Sequence, residues 1–301
     1  MSSRINPSFI IAGVARCGTT SLYHYMKQHP EIGFPTQKEP KYFSSIYLQF
    51  PHNGIGDNTV DKIIVKDKDK YFDLFSKLEN FKAIGEASSD YLYFHEYTVD
   101  AIKKELGDIP IIFSIRNPIE RAYSAYNNLV RDGRESLEFM EALKKEKERI
   151  ADNWDWMWAY KGGGLYADAI EHFQNEFSNV KVVLFDDLEN EPNKVLKEIF
   201  EFLNVDSSLI VNSETKYSHS GKPKNAFIAM LTDRNNKIIY TLRRTVMSFV
   251  PRSLLEKIAS KMLNKDDIPF EAKQYLQDFF KKDIEKLEKL ISRDLCNWKE
   301  I

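Results

Sequence analysis

A chain of 301 residues with 43% hydrophobic side chains can bury a large core, and its formal net charge of −2 offers no positive surplus for a nucleic-acid partner. An anion site in such a chain must be local, made by a few placed residues. The two cysteines, Cys17 and Cys296, stand near opposite ends without metal-ligand spacing, which argues against a disulfide framework and for a reducing compartment.

In chain order, the N-terminal apolar run is too short, and too soon broken by Gly13, for a signal peptide. No later run is long enough to span a bilayer, so a soluble, cytoplasmic chain is expected. The segment "FIIAG" (Phe9–Gly13) is predicted to be a buried strand, and Leu22–Gln28 a helix after a Gly-Thr-Thr-Ser turn. Gly54 and Gly56 predict a loop excursion before the next strand, "KAIGEA" (Lys82–Ala87). A third strand, Ile109–Arg116, precedes a helix over Ile119–Arg131 with Pro118 in its first turn. The charged stretch Ser136–Ile150 reads as a solvated amphipathic helix, and Gly162–Gly164 as a turn. A helix over Leu165–Phe177, a strand over Val180–Asp187 and a helix over Pro192–Leu203 follow. Polar Ser213–Asn225 reads as a loop, and residues 272–291 as a helix docked on the core. Strands alternating with helices predict an α/β fold: three layers, P-loop-like, with a central parallel sheet flanked by helices. Without repeats or a low-complexity linker, residues 1–301 form a single domain.

The stretch "GVARCGTTS" (Gly13–Ser21) sits where a strand gives way to a helix. Glycines permit the tight turn, the helix start supplies amide donors, and Thr19, Thr20 and Ser21 add hydroxyls. Thr19 stands where an ATP loop carries lysine, and Arg16 offers a fork that matches a tetrahedral anion. Arg116 ends the third strand, on the edge where open parallel sheets bind ligands, and Ser124 lies eight residues on. Glu39, between Lys38 and Lys41, reads from composition as an exposed loop carboxylate. Glu86 and Ser88 follow a strand and can line the same edge, and "HSGKPKN" (His219–Asn225) can close over a phosphate. The aromatic cluster Trp154–Tyr160, with Trp154 and Trp158, suits either an acceptor cleft or the packing of a peripheral helix. The six histidines are scattered, so no metal is expected.

Together these pieces resemble the sulfotransferases that use 3′-phosphoadenosine 5′-phosphosulfate (PAPS), nearest to the heparan sulfate O- and N-sulfotransferases and their bacterial relatives. The likeness runs over nearly the whole chain. "GVARCGTTSL" is similar to the 5′-phosphosulfate loop, which implies nucleotide contacts from Ala15, Arg16, Cys17, Gly18, Thr19, Thr20 and Ser21. "IRNPIERAYSAY" resembles the motif in which an arginine and a serine, here Arg116 and Ser124, hold the 3′-phosphate. "KEPKYF" is similar to the segment carrying the general base, which implies Glu39 as base with Arg16 and Lys38 as catalytic cations. "GLYADAIEHF" implies a nucleotide contact from Tyr166, and the "SGKPK" loop implies contacts from Ser220, Gly221, Lys222 and Lys224. "GEASSDYL" resembles the second-strand motif, with Lys41, Glu86, Ser88, Trp154 and Trp158 expected on the acceptor side.

Two positions depart from the family. Ala87 stands where heparan sulfate enzymes usually carry lysine, so the steadying of the sulfuryl group must fall to Arg16, Lys38 or Lys41, or be absent. Cys17 replaces a small or hydroxyl residue, either as an oxidisable thiol or as a residue that simply fits. The resemblance implies PAPS as donor, its desulfated product PAP, no metal, and a carbohydrate or small-molecule hydroxyl as acceptor. A lipid alcohol, a P-loop kinase and a non-catalytic nucleotide or glycan binder remain as rivals.

Overall fold

The computed structural model describes residues 4–213, 222–223, 263–264 and 266–299. Five strands form one parallel sheet in the order β2-β3-β1-β4-β5. They are β1 (Phe9–Gly13), β2 (Ile32–Gly33), β3 (Ala83–Ala87), β4 (Ile111–Ile115) and β5 (Val180–Leu184). All residues of β1, β3 and β4 are buried, the pattern of strands covered on both faces. The register pairs Phe9 with Gly85 on one side of β1 and Ile10 with Ile111 on the other. β3 and β4 thus flank β1 on opposite sides, which makes a topological switch point at its C-terminal end.

The two-residue period of β1 divides the core. Ile10 and Ala12 pack with Val99, Leu129, Leu143, Phe173 and Phe280 on one face. Phe9 and Ile11 pack with Leu22, Met26, Leu196 and Phe200 on the other. The first face is covered by α5 (His95–Leu106), α6 (Pro118–Arg131), α7 (Phe139–Ala151), α8 (Ala167–Glu176) and α11 (Phe270–Ile291). The second is covered by α1 (Thr19–Met26) and α10 (Pro192–Phe202). Short helices α2 (Tyr42–Ser45), α3 (Asp57–Asp61) and α4 (Lys68–Asp73) fill the excursion between β2 and β3. β6 (Lys222–Pro223) pairs antiparallel with β7 (Leu263–Asn264) and runs beside α6. Among the described residues no helix is long and apolar enough to cross a membrane.

The structure revises two expectations. The strand predicted over Val180–Asp187 ends at Leu184, and α9 (Phe185–Asn190) begins there with Asp186 and Asp187 in its first turn, where carboxylates suit a helix start. Helix α5 has no counterpart in the sequence reading. It starts at Phe94, which provides no side-chain cap, so the usual start signal is missing.

Gly85 marks the tightest contact of the sheet. A Cβ there would stand 2.3 Å from Phe34 Cε1 and 2.4 Å from Phe9 Cζ. Gly85→Ala is expected to destabilise the fold by about 1–3 kcal/mol through overpacking, read as a lower urea midpoint at unchanged slope. A midpoint equal to wild type would mean that both rings swing aside freely.

Candidate active site

The loop between β1 and α1 is held from below. Ser114 in β4 donates its hydroxyl to the Cys17 carbonyl, and the Val14 amide donates to the Ser114 carbonyl at 2.9 Å. Arg121 of α6, only 1% exposed, donates to the carbonyls of Ala15 (3.4 Å), Ala159 (3.3 Å) and Tyr160 (3.0 Å). Carbonyls are thereby drawn inward, and the chain turns through left-handed Arg16 (φ 73°) and Gly18 (φ 83°) into α1. The first amides of that helix have no intrahelical acceptor and carry its positive end. Anion binding is the chemistry that such a start offers.

Three arginines gather at this point. Arg16 donates from Nε to Ser124 Oγ at 3.1 Å and from Nη1 to Asn128 Oδ1 at 3.3 Å. Arg131 also donates to Asn128 Oδ1. Arg116 pairs with Glu120 one turn on and lies 4.8 Å from the centre of the Phe185 ring. Burial, then the charges of Arg131 and Arg116, lower the Arg16 guanidinium to about 10. An open cleft lies here, bordered by Arg16, Gly18, Ser21, Arg116, Phe185 and Leu188. The expected pair Arg116 and Ser124 thus comes to one edge with Arg16. Asn128 and Arg131 were missed. Their signal is the spacing of Arg121, Ser124, Asn128 and Arg131, which puts four polar residues on one face of a largely buried helix.

Glu39 lies on the other side of the loop. Its Oε1 accepts from Lys38 Nζ at 2.7 Å, and its Oε2 accepts from the Ser89 amide (2.9 Å) and hydroxyl (3.0 Å). Lys38 also reaches Thr20 Oγ1 at 3.4 Å, linking the carboxylate to the anion loop. Burial opposes ionisation of Glu39, but Lys38, Lys41 and the Ser89 amide outweigh it and hold its pKa below the ordinary value. Glu39 is therefore an ionised, partly buried carboxylate and not a freely exposed loop acid. The Ser89 contacts also lay outside the sequence reading.

Several expected contacts prove to be internal. Tyr166 is fully buried and donates to the Arg116 carbonyl at 3.1 Å, so it positions the strand end. Cys17 is fully buried, and burial pushes its thiol up to about 11. Trp158 is a core residue whose Nε1 donates to Asp57 Oδ1 at 3.0 Å, and Trp154 packs edge-on against it. Trp158 offers no exposed ring face, whereas Trp154 is half-buried. Trp156, 3% exposed, instead stands next to Lys41, with the ammonium 5.4 Å from its ring centre. Ser88 is buried and accepts from the Lys41 amide at 2.9 Å. Glu86 is buried and accepts from Tyr71 OH at 3.4 Å, and its Oε1 has no partner among the described residues. Burial, against hydrogen bonds from Ser88 and Tyr91, pushes Glu86 up to about 8. It is a protonated acid beneath the edge and not an anionic contact on it. Ser220, Gly221 and Lys224 lie outside the described residues, and Lys222 enters only as part of β6.

The sulfotransferase family model matches residues 7–208. A crystal structure of a sulfotransferase from Alicyclobacillus acidocaldarius is 30% identical, with a TM-score of 0.79, over 98% of this chain and 100% of that one. The membrane-associated sulfotransferase kil1 of Dictyostelium discoideum is 34% identical over 121 residues, 40% of this chain and 22% of that protein. Human heparan sulfate glucosamine 3-O-sulfotransferase 3B1 is 26% identical over 204 residues, 66% of this chain and 46% of that protein. The chain thus spans from about a fifth to just under half of these two curated relatives.

The elevated Glu86 value has a consequence for stability. Between about pH 4.5 and pH 8 the unfolded chain has released a proton that the native chain keeps. Stability relative to Glu86→Gln is expected to fall with rising pH across that window, at up to about 1.4 kcal/mol per pH unit. Urea unfolding of both proteins from pH 5 to pH 8 reads it, and parallel pH profiles would sink it.

Proposed function

The chain belongs to the sulfotransferase family, and on that premise we propose that it moves a sulfuryl group from PAPS to an acceptor hydroxyl of a carbohydrate by in-line displacement. The observation that carries this reading is the junction at Lys38. One ammonium touches both the Glu39 carboxylate and Thr20 of the anion loop, so an anion cradle and a base stand side by side at one sheet edge. PAPS suits the cradle because it brings anionic groups to both ends of the cation cluster. The loop amides and Arg16 face the phosphosulfate, and Arg116 with the Ser124 face of α6 grips the 3′-phosphate.

In the reaction the acceptor oxygen forms a bond to sulfur while the bond from sulfur to the bridging phosphate oxygen breaks. PAP leaves with that electron pair, and the acceptor proton passes to Glu39. Alignment and charge neutralisation supply the rate, as in phosphoryl transfer. Arg16, Lys38 and the loop amides stabilise the charge on the departing oxygen. The low pKa of Glu39 keeps it unprotonated at neutral pH, and makes it a useful base only once the acceptor oxygen has bonded to sulfur. A carbohydrate acceptor is favoured by the similarity to a heparan sulfate glucosamine sulfotransferase.

Glu39→Gln is expected to lower kcat for transfer by about 10²- to 10⁴-fold and to leave PAP affinity near wild type, measured by labelled sulfate transfer and calorimetry. Retention of most activity would remove Glu39 as base. Arg116→Ala should weaken PAP binding by about 10- to 100-fold through loss of a charge-assisted contact. An unchanged dissociation constant would end the 3′-phosphate assignment.

A further inference from the structure

Lys41 is a buried cation without a described partner. The residue is 6% exposed, yet among the described residues its ammonium has no ion pair within 4 Å and no hydrogen-bond acceptor. It stands among the carboxylates of Glu39, Asp90 and Asp155, beside the Trp156 ring. Burial works to discharge it, and the charges of Asp90, Asp155 and Glu39 more than offset that, so Lys41 stays charged at neutral pH. A buried ammonium with unmade hydrogen bonds is unfavourable for the fold by itself.

The backbone shows the same tension. Glu39 (φ 60°) and Lys41 (φ 53°) both occupy the left-handed region, unusual for residues other than glycine. Such strain persists only where the surroundings impose it. Here the Glu39 amide is tied to the Ala87 carbonyl at 2.9 Å, the Lys41 amide to Ser88 Oγ at 2.9 Å, and the Pro40 carbonyl to the Val65 amide at 2.9 Å. The segment that carries both Glu39 and Lys41 is thereby pinned at the sheet edge.

The other cations near that place are already engaged: Lys38 with Glu39 and Thr20, and Arg16 with Ser124 and Asn128. A sulfuryl group approaching the Glu39 carboxylate brings like charge towards it, and in a partly buried site that repulsion is poorly screened. A counter-charge is needed on the side of the acceptor. We propose that Lys41 is that catalytic residue, its ammonium contacting the sulfuryl oxygens as the group passes from PAPS to the acceptor. This rests on the function proposed above. It places the sulfuryl contact on the segment that carries the base, and it assigns to Lys41 what Ala87 cannot supply.

The test compares the wild-type chain with Lys41→Met and Lys41→Arg, using PAPS, PAP and a panel of oligosaccharide acceptors. Lys41→Met should lower kcat by about 10²-fold or more, as for removal of one transition-state donor, at unchanged PAP affinity. Its melting temperature should fall, because Asp90, Asp155 and Glu39 lose the charge that offsets the burial of Lys41. Lys41→Arg should recover part of the loss in kcat. Full activity in Lys41→Met overturns the assignment. Loss of PAP binding along with activity makes Lys41 a structural residue and overturns it as well. A wild-type chain that neither binds PAP nor releases it from PAPS overturns the proposed function itself, and the Lys41 assignment with it.

Discussion

Like charges held close together are the constraint on which the rest of the site depends. Arg16, Arg116 and Arg131 lie near enough for the last two to depress the pKa of the first. Left to themselves the three side chains would splay into solvent. Sheet pairing prevents this, because Arg16 follows β1 and Arg116 follows its neighbour β4. The α6 cap then fixes the angle at which the helix leaves the sheet: Asn117 accepts from the Ile119 amide at 3.0 Å, and Pro118 occupies the first turn. Arg16 and Arg131 share the amide oxygen of Asn128, and Arg131 also pairs with Asp132 at 3.7 Å. The shared amide holds the two guanidiniums side by side at the edge.

The other half of the edge has the opposite electrical character. Glu39, Asp90 and Asp155 gather there around Lys41, with Glu86 protonated beneath them. Burial pushes Asp90 up to about 6, against the pull of Lys41, while Ser44 donates to its Oδ2 at 2.6 Å. The turn that carries Asp155 and Trp156 is fixed from the excursion between β2 and β3. Asp57 accepts from the Asp155 amide at 2.8 Å, from Trp158 Nε1 and from Arg134. A tryptophan of the core thus serves the site at one remove, by fixing the turn that sets Trp156 beside Lys41.

Much of this was legible in the sequence. The buried strands β1, β3 and β4 announce themselves as apolar runs, and the glycine turn marks where the first of them meets a helix. The loop and Arg116 came from their places at strand ends, Ser124 and Glu39 from the resemblance to the PAPS sulfotransferases, and they lie along one edge. What failed was direction. "WDWMWAY" gives no clue which ring faces inward, because a short 3-10 turn has no long period to betray its buried side; Trp158 went to the core and Trp156 to the Lys41 side. Tyr166 and Cys17 sit in motif positions but touch one another, Sγ to OH at 3.9 Å, beneath the loop. Helix α5 was missed because its start lacks a cap, whereas the polar stripe of α6 was available at 3.6-residue spacing.

An ATP loop concentrates its cation in one lysine of the loop itself. Here Thr19 takes that place, and the positive charge comes from three separate elements: the loop (Arg16), the end of β4 with α6 (Arg116, Arg131), and the segment before α2 (Lys38, Lys41). None of these segments could form the site alone. Their convergence depends on β3 and β4 lying on opposite sides of β1, since only then do a segment tied to Ala87 and a residue following Ile115 border the same loop. Moving the charge out of the loop also divides it in two, one group on the α6 side and one beside Glu39. Such a division suits a ligand that carries two separate anionic groups, because each cation group then neutralises the charge nearest to it.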